Sequence, residues 1–208
     1  MRIGIIGSGS IGATLARLWT TGGHEIAIAN SRGPDSLAEL VDSLGPLAHA
    51  MSVEDAARFG EIVVLAVPFR RPEALPRSDL VMGKIVVDAM NPYAEDGGLL
   101  DLAGKTSSAV TAERLPGARL VKAFNTMHWE TLASGGRLHV PEDQRLVIFL
   151  AGDDSRAKER VSTLIREAGF APVDTGSLAI GGRLQQPGSK IYNRPMLPAE
   201  ARRTLAVM

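Results

Sequence analysis

The chain has 208 residues, with 23 basic and 23 acidic side chains and no cysteine. A hydrophobic fraction of 45 % without net charge argues against disorder, and there is no basic excess with which to bind a nucleic acid. The lack of cysteine excludes disulfides, thiolate nucleophiles and cysteine-ligated metals.

The apolar segments of the chain are short. None approaches the roughly 20 residues that a helix needs to cross a bilayer, and the glycines that interrupt residues 3–12 are not typical of a signal peptide. We therefore predict a cytoplasmic protein with no membrane partner.

Short apolar runs alternate with longer mixed segments along the chain. Most runs are continuously apolar, which is typical of strands buried on both faces of a parallel sheet. We predict strands at residues 3–6, 25–29, 61–67, 84–89, 119–123, 146–151 and 172–174, and one more around residues 47–51.

The segments between these runs space their apolar residues as helices do. Ile11, Leu15 and Leu18 follow the first run at helical spacing, and residues 34–44 and 155–168 have the same pattern. Alternating strands and helices predict an α/β fold, doubly wound and Rossmann-type, with a mostly parallel sheet.

A glycine-rich turn joins the first predicted strand to the first predicted helix. The pattern G-x-G-x-x-G requires this context, because its glycines allow a tight turn, a close approach of a pyrophosphate, and packing of the helix on the strand. The helix N-terminus also offers N–H groups to phosphates. We predict that the turn binds a dinucleotide through Gly7, Ser8, Gly9, Ser10, Ile11 and Gly12.

The end of the second predicted strand indicates which dinucleotide is bound. NAD-specific sites usually place a carboxylate there for the ribose 2′-hydroxyl, but this chain has Asn30, Ser31 and Arg32. Ser31 can donate a hydrogen bond to a 2′-phosphate, and Arg32 can pair with it or lie over the adenine. We predict NADPH in preference to NADH.

Two further strand ends carry prolines that turn the chain over the nicotinamide side. Val67, Pro68 and Phe69 follow the third strong run, and Asn91 and Pro92 follow the fourth. Ligands of doubly wound sheets lie outside the carboxyl ends of the strands. We therefore assign these five residues to the cofactor site, with Asn91 as a partner for the carboxamide or a ribose hydroxyl.

The sequence changes character near residue 175. Residues 1–174 contain the predicted dinucleotide-binding Rossmann domain. Residues 175–208 have glycine and proline breaks, a short turn at 183–186 and a short helix at 199–207. This segment has too few apolar residues for its own core, so we predict that it is a cap that completes the substrate pocket. We also expect the protein to be a homodimer in which the second subunit contributes to that pocket.

Several stretches of the chain carry a family resemblance: residues 5–12, 30–32, 66–68, 121–126, 151–154, 172–176 and 182–184. With them the chain resembles the NADPH-dependent reductases of coenzyme F420, a deazaflavin. More distantly, it resembles the reductase domain of the six-transmembrane metalloreductases. The Lys-Ala-Phe-Asn-Thr and Gly-Asp-Asp segments are more specific than the glycine turn, which many dehydrogenases share.

This resemblance implies an oxidoreductase that passes a hydride between NADP and a deazaflavin. It implies that the loop of Asn125, Thr126 and Met127 lies near the facing rings, with the cap closing over them. Related chains also occur in organisms without that coenzyme, so a flavin is a further candidate for the second substrate.

Two other functions remain open from the sequence. One is NADPH-dependent reduction of a carbonyl or an imine, which demands a proton donor such as His128, Lys122 or Tyr192. The other is a non-catalytic redox sensor that binds NADPH and changes its oligomeric state.

Hydride transfer between two rings depends on alignment more than on an acid or a base, so no catalytic residue is required. His128 is a weak candidate for stabilising negative charge on a reduced ring, and a surface histidine or a histidine at a helix start is the favoured alternative. Lys122 is expected to reach solvent from a strand end. Tyr192 and Arg194 are expected either to stack on or pair with a substrate ring or carboxylate, or to serve packing and subunit contacts.

No metal is predicted. Asp153 and Asp154 precede a helix, where carboxylates suit an N-cap and the helix dipole, and no histidine or glutamate accompanies them at ligand spacing.

Overall fold

A computed structural model describes all 208 residues of the chain, and its eight strands form one sheet. In chain order the strands are β1 Arg2–Ile6, β2 Glu25–Ala29, β3 Ala48–Ala50, β4 Ile62–Leu65, β5 Ile85–Asp88, β6 Arg119–Ala123, β7 Val147–Gly152 and β8 Ala171–Asp174. Their order across the sheet is β3-β2-β1-β4-β5-β6-β7-β8.

Helices cover the sheet between the strands. They are α1 Ser10–Thr21, α2 Ala38–Leu44, α3 Val53–Phe59, α4 Ser107–Arg114, α5 Trp129–Ser134, α6 Ser155–Glu167, α7 Gly181–Leu184 and α8 Pro198–Leu205. Single 3₁₀ turns lie at Pro34–Leu37, Pro72–Ala74, Ser78–Leu80 and Glu142–Gln144. None of these helices combines the length and the apolar character needed to cross a membrane.

The topology places a crevice between β1 and β4. The chain starts in the middle of the sheet, adds β2 and β3 on one side, and then crosses to β4 on the other side of β1. All neighbouring strands are parallel except β6 and β7, which run antiparallel. In such sheets the crevice at the carboxyl ends of the strands, where the order reverses, takes the ligand.

Buried apolar residues cover both faces of the sheet. One cluster has 26 residues and surrounds Trp19, whose indole N–H donates to the carbonyl of Leu164 at 3.2 Å. A cluster of 14 covers the opposite face. A third cluster of seven includes Ile191, Met196 and Ala201 packed on β7 and β8, so the C-terminal segment buries these three residues against the sheet.

The doubly wound α/β fold predicted from the sequence is confirmed. Most element boundaries differ from the prediction by one or two residues. The third strong run was predicted as 61–67, but β4 ends at Leu65 because the chain turns along the crevice from Ala66. The predicted turn at 183–186 is the short helix α7, and the last helix begins one residue earlier than predicted, with Pro198 in its first turn.

Candidate active site

A cavity of about 920 Å³ lies at the carboxyl ends of β1, β2, β4 and β5. It brings together twelve of the fourteen residues predicted for the cofactor, while Gly12 and Pro92 lie outside its lining. Those on its walls are Gly7, Ser8, Gly9, Ser10, Ile11, Asn30, Ser31, Arg32, Val67, Pro68, Phe69 and Asn91.

The glycine turn has the geometry that a bound diphosphate requires. Gly7 has φ 113°, a conformation that side chains disfavour. A Cβ on Gly12 would lie 1.9 Å from the Gly7 carbonyl oxygen, so Gly12 holds α1 close to the turn. A Cβ on Gly9 would meet nothing within 4 Å, and no side chain caps the helix that starts after it. Free N–H groups at the start of α1 therefore face open space, which fits a pyrophosphate.

The turn after β2 presents a serine and an arginine to the same cavity. The Asn30 carboxamide shapes it, since its Oδ1 accepts from the Arg32 backbone N–H at 2.8 Å and its Nδ2 donates to Ser8 Oγ at 3.1 Å. Neither the Ser31 nor the Arg32 side chain bonds to another protein group, so both are free for a phosphate. Asn30 thus connects the phosphate turn to the corner where a 2′-phosphate would lie.

Two further arginines were not predicted from the sequence. Arg70 and Arg71 line the cavity directly after Phe69, and no ion pair occupies their side chains. The one acidic residue on the same wall is Glu73. The excess of guanidinium groups makes this end of the cavity cationic, as a phosphomonoester requires. The signal in the sequence was their position beyond a strand end that had already been assigned to the site.

Alanine at Gly9 is expected to weaken NADPH binding about tenfold or more while leaving the fold intact. Gly9 has an extended backbone and open space for a methyl group, which would occupy the volume that the pyrophosphate approaches. Gly22→Ala at the other end of α1 is the matched control, because its Cβ would make ordinary contacts at 3.4 Å or more. Thermal unfolding and fluorescence titration with NADPH check both variants. Equal NADPH affinities would contradict the assignment.

A second cavity of about 160 Å³ adjoins the first, and the two share Ile11, Ala89 and Asn91 in their walls. Its other walls come from the loop after β6, the start of α5 and the C-terminal segment, through Phe124, Asn125, Met127, His128, Trp129, Tyr192 and Asn193. Of the three residues predicted for the substrate, Asn125 and Met127 line this cavity. Thr126 does not, and its carbonyl accepts the Asn193 N–H at 2.9 Å.

The loop after β6 leaves the strand through an unusual backbone conformation. Phe124 has φ 64° although it is not glycine, and its ring is fully buried. The ring meets Trp19 edge to face with centroids 5.6 Å apart, which holds the conformation in place. Backbone strain of this kind is concentrated at functional sites. Here it turns the next residue, Asn125, toward Asn91 and the second cavity.

A hydrogen-bond network connects the two cavities to the C-terminal segment. Asn91 Nδ2 donates to the Asn125 carbonyl at 2.9 Å and to Tyr192 Oη at 3.1 Å, and the Tyr93 hydroxyl donates to Tyr192 at 3.1 Å. Asn125 Nδ2 donates in turn to Asn91 Oδ1 and to the Gln185 carbonyl. Burial, with the contact from Tyr93, raises the pKa of Tyr192 well above its usual range. Tyr93 was missed by the sequence reading.

The expectation that Lys122 reaches solvent is wrong. Its side chain is fully buried, with Nζ 3.2 Å from Asp88 Oδ2 and bonded to the Met90 carbonyl. Asp88 and Lys122 face each other across β5 and β6, and Asp88 Oδ1 also accepts the Met90 N–H at 3.0 Å. Desolvation lowers the pKa of Lys122, and the charge of Asp88 opposes this. The pair lies below the loop that carries Asn91 and holds its first residues.

The remaining candidates have simpler surroundings. His128 is the residue before α5, more than half exposed, with Nδ1 3.5 Å from Glu130 Oε2. It nevertheless contributes to the wall of the second cavity. Arg194 pairs with Glu200 at 3.0 Å. No group of three or more His, Cys, Asp or Glu side chains is placed to hold a metal ion, and Asp154 caps α6 by accepting from the Ala157 N–H at 2.9 Å.

Known proteins are similar to this chain in sequence and in fold. Residues 2–92 match the family model described as NADP oxidoreductase, coenzyme F420-dependent. A solved structure of the protein SMa0349 from Sinorhizobium meliloti is 37% identical, with TM-score 0.81 over 95% of both chains. Another, from Arthrobacter sp. FB24 and assigned as an F420-dependent NADP reductase, is 26% identical with TM-score 0.71 over 85% of both chains.

Two metalloreductases are similar to most of this chain. The metalloreductase STEAP3 of Rattus norvegicus is 33% identical over 180 residues, which is 86% of this chain and 34% of the relative. The metalloreductase STEAP2 of Mus musculus is 27% identical over 192 residues, 91% of this chain and 36% of the relative. The chain therefore spans about a third of the length of these relatives.

A Rossmann sheet whose crevice offers a diphosphate turn and a cationic corner has the features of an NADP-binding domain. Over residues 2–92 the chain is similar to the NADP oxidoreductases that the F420-dependent family model describes, and the Arthrobacter relative shares its fold over 85% of both chains.

Proposed function

We propose that the protein transfers a hydride between NADPH and a planar acceptor of the deazaflavin type, with a flavin as the alternative ring. The observation that carries this proposal is the meeting of two cavities at Ile11, Ala89 and Asn91. The larger one fits a dinucleotide from its phosphate turn to this point, where the nicotinamide would end. The smaller one begins there, so a second ring can face the first. The family model and the Arthrobacter relative support a deazaflavin as that ring.

The residues of the chain bind and orient the reactants. NADP, when bound, supplies or takes up the hydride at its nicotinamide ring. The N–H groups at the start of α1 hold the diphosphate, and Ser31 and Arg32 hold the 2′-phosphate. Ile11, Ala89 and Phe124 give the meeting point apolar walls that exclude water from the transfer. Hydride transfer depends mainly on the alignment of the two rings, and these walls would hold the rings in place.

The size of the second cavity indicates how the acceptor lies. At about 160 Å³ it is smaller than the 300–1,000 Å³ that enclosed ligand pockets typically have. A tricyclic ring must therefore extend beyond it, toward His128 and Trp129, which is 41% exposed. This open side is where a second subunit would complete the pocket. The homodimer and the cytoplasmic location stay predictions from the sequence.

Reduction of a carbonyl or an imine is the second candidate function. The observation that favours it is the Tyr192 hydroxyl at the second cavity, since such substrates need a nearby hydrogen-bond or proton donor. A small carbonyl compound would also fit within the volume of this cavity.

Mixing the purified protein with NADPH and, separately, with deazaflavin, FMN, FAD or riboflavin tests the proposal. Loss of the nicotinamide absorbance with deazaflavin, faster than with any flavin, is the expected result. Turnover with a flavin alone would identify a flavin as the acceptor and would still support hydride transfer between two rings. Tight NADPH binding with no turnover on any ring would contradict the proposal, and small carbonyl and imine substrates then separate a reductase from a redox sensor.

A further inference from the structure

The two tyrosines of the chain meet at the junction of the two cavities. Tyr93 lies just beyond β5 and lines the larger cavity, whereas Tyr192 belongs to the C-terminal segment and lines the smaller one. Their hydroxyl oxygens are 3.1 Å apart. The sequence separates them by 99 positions, so the fold brings together at one point the only phenols in the protein.

In the contact between the two tyrosine hydroxyls, one phenolic O–H donates no hydrogen bond within the protein. Tyr192 Oη accepts from Asn91 Nδ2 and from the Tyr93 hydroxyl, and a hydroxyl oxygen has two acceptor positions. No hydrogen bond within the protein has the Tyr192 O–H as its donor. If the contact between the tyrosines ran in the opposite direction, the Tyr93 O–H would be left instead. In either arrangement one phenolic hydrogen remains for a ligand.

The amides around the tyrosines fix which atom faces Tyr192. Asn91 Oδ1 accepts from Asn125 Nδ2, and Asn91 Nδ2 donates to the Asn125 carbonyl. Reversing the Asn91 amide would place its oxygen against that carbonyl, and reversing Asn125 would place its oxygen against the Gln185 carbonyl at 2.9 Å. Both reversals bring two acceptors together, so the network assigns the amides without ambiguity. Asn91 can only donate to Tyr192.

Tyr192 keeps its hydrogen over the whole working range of pH. Burial is the larger cause of its raised pKa, and the contact with Tyr93 adds to it. A phenol of this kind is a fixed hydrogen-bond donor rather than an acid that ionises during turnover. Fixed donors aimed at a position where negative charge develops stabilise a transition state without reorganising.

We infer that Tyr192 is a catalytic residue, whose O–H donates a hydrogen bond to the carbonyl oxygen or ring nitrogen of the hydride acceptor. The inference rests on the proposed function. A hydride carries two electrons from the dihydronicotinamide to a ring carbon of the acceptor, which oxidises NADPH to NADP⁺. The electron pair displaced within the acceptor then resides on the atom that Tyr192 contacts, and a proton from water neutralises it. Tyr93 and Asn91 position the phenol.

Single-turnover kinetics of Tyr192→Phe and Tyr93→Phe test this role. The preformed NADPH complex is mixed with the acceptor that wild-type protein reduces, with NADPH and with NADPH deuterated at the transferred position. We expect Tyr192→Phe to slow the isotope-sensitive step about 30-fold or more, with the affinity for NADPH within twofold of wild type. Tyr93→Phe should slow it less than about fivefold, because Tyr192 keeps its hydrogen and its bond from Asn91.

A second measurement does not depend on the stability of Tyr192→Phe. In Tyr93→Phe the one tyrosine left is Tyr192, so growth on 3-fluorotyrosine labels that position alone. Its ¹⁹F resonance should shift when the acceptor is added to the NADP⁺ complex.

Three outcomes would overturn the inference. An unshifted ¹⁹F resonance would show that the acceptor does not reach Tyr192. A wild-type hydride-transfer rate in Tyr192→Phe would remove the catalytic role alone and leave the proposed function standing. No turnover by wild-type protein with any ring acceptor would overturn both.

Discussion

Replacement of Lys122 by methionine should lower the free energy of unfolding by about 3–5 kcal/mol. The variant leaves Asp88 as a buried carboxylate without a cation, in a place where neither side chain has any exposed surface. It also removes the bond from Lys122 to the Met90 carbonyl, so the loop that carries Asn91 loses its support. Urea unfolding of wild type and variant measures the loss.

Two further variants test whether the unpaired charge of Asp88 causes this loss of stability. Lys122→Met combined with Asp88→Leu should recover most of the stability, because replacing both partners of a buried ion pair is often neutral or stabilising. Lys105→Met is the matched surface control, since Lys105 pairs with Glu113 at 2.7 Å while both are about half exposed. It should cost less than about 1 kcal/mol. Similar losses for Lys122→Met and Lys105→Met would contradict the account.

Replacement of Arg32 by alanine should weaken NADPH binding by about 10- to 100-fold and leave NADH binding unchanged. A charge-assisted bond to a phosphate contributes about 1.5–3 kcal/mol, and each 1.4 kcal/mol is about tenfold in affinity. The Arg32 side chain has no partner in the protein, so its removal disturbs no internal contact. Arg70 and Arg71 line the same cavity and retain part of the attraction, which limits the loss.

Titration with both dinucleotides at two salt concentrations measures this effect. Arg156→Ala, an exposed arginine on α6, is the control and should change neither affinity. If Arg32→Ala weakened NADPH and NADH equally, the arginine would serve the adenine or the diphosphate and not the 2′-phosphate.

Much of the fold could be predicted because local pattern and buried position agree in it. Residues 3–6 of β1, 62–65 of β4 and 85–87 of β5 are buried and form unbroken apolar runs, which strands of a parallel sheet show in their sequence. The glycine turn is equally local, since its conformational needs lie within six successive residues. Most of the predicted cofactor residues therefore line one cavity.

The features that escaped prediction depend on contacts between distant segments. Lys122 is buried because the β5–β6 register sets it opposite Asp88, and a lysine at a strand end does not by itself reveal such a partner. Tyr93 can be recognised as a site residue only in the folded chain, where its hydroxyl contacts that of Tyr192 in the C-terminal segment. The antiparallel pairing of β7 also leaves no trace in the apolar pattern of the strand.

The most direct test is a crystal structure of the protein with NADP⁺. We expect the diphosphate within hydrogen-bonding distance of the N–H groups at the start of α1, the 2′-phosphate between Ser31 and Arg32, and the nicotinamide beside Asn91. A dinucleotide bound elsewhere, or crystals grown with saturating NADP⁺ in which this crevice holds solvent alone, would contradict this prediction.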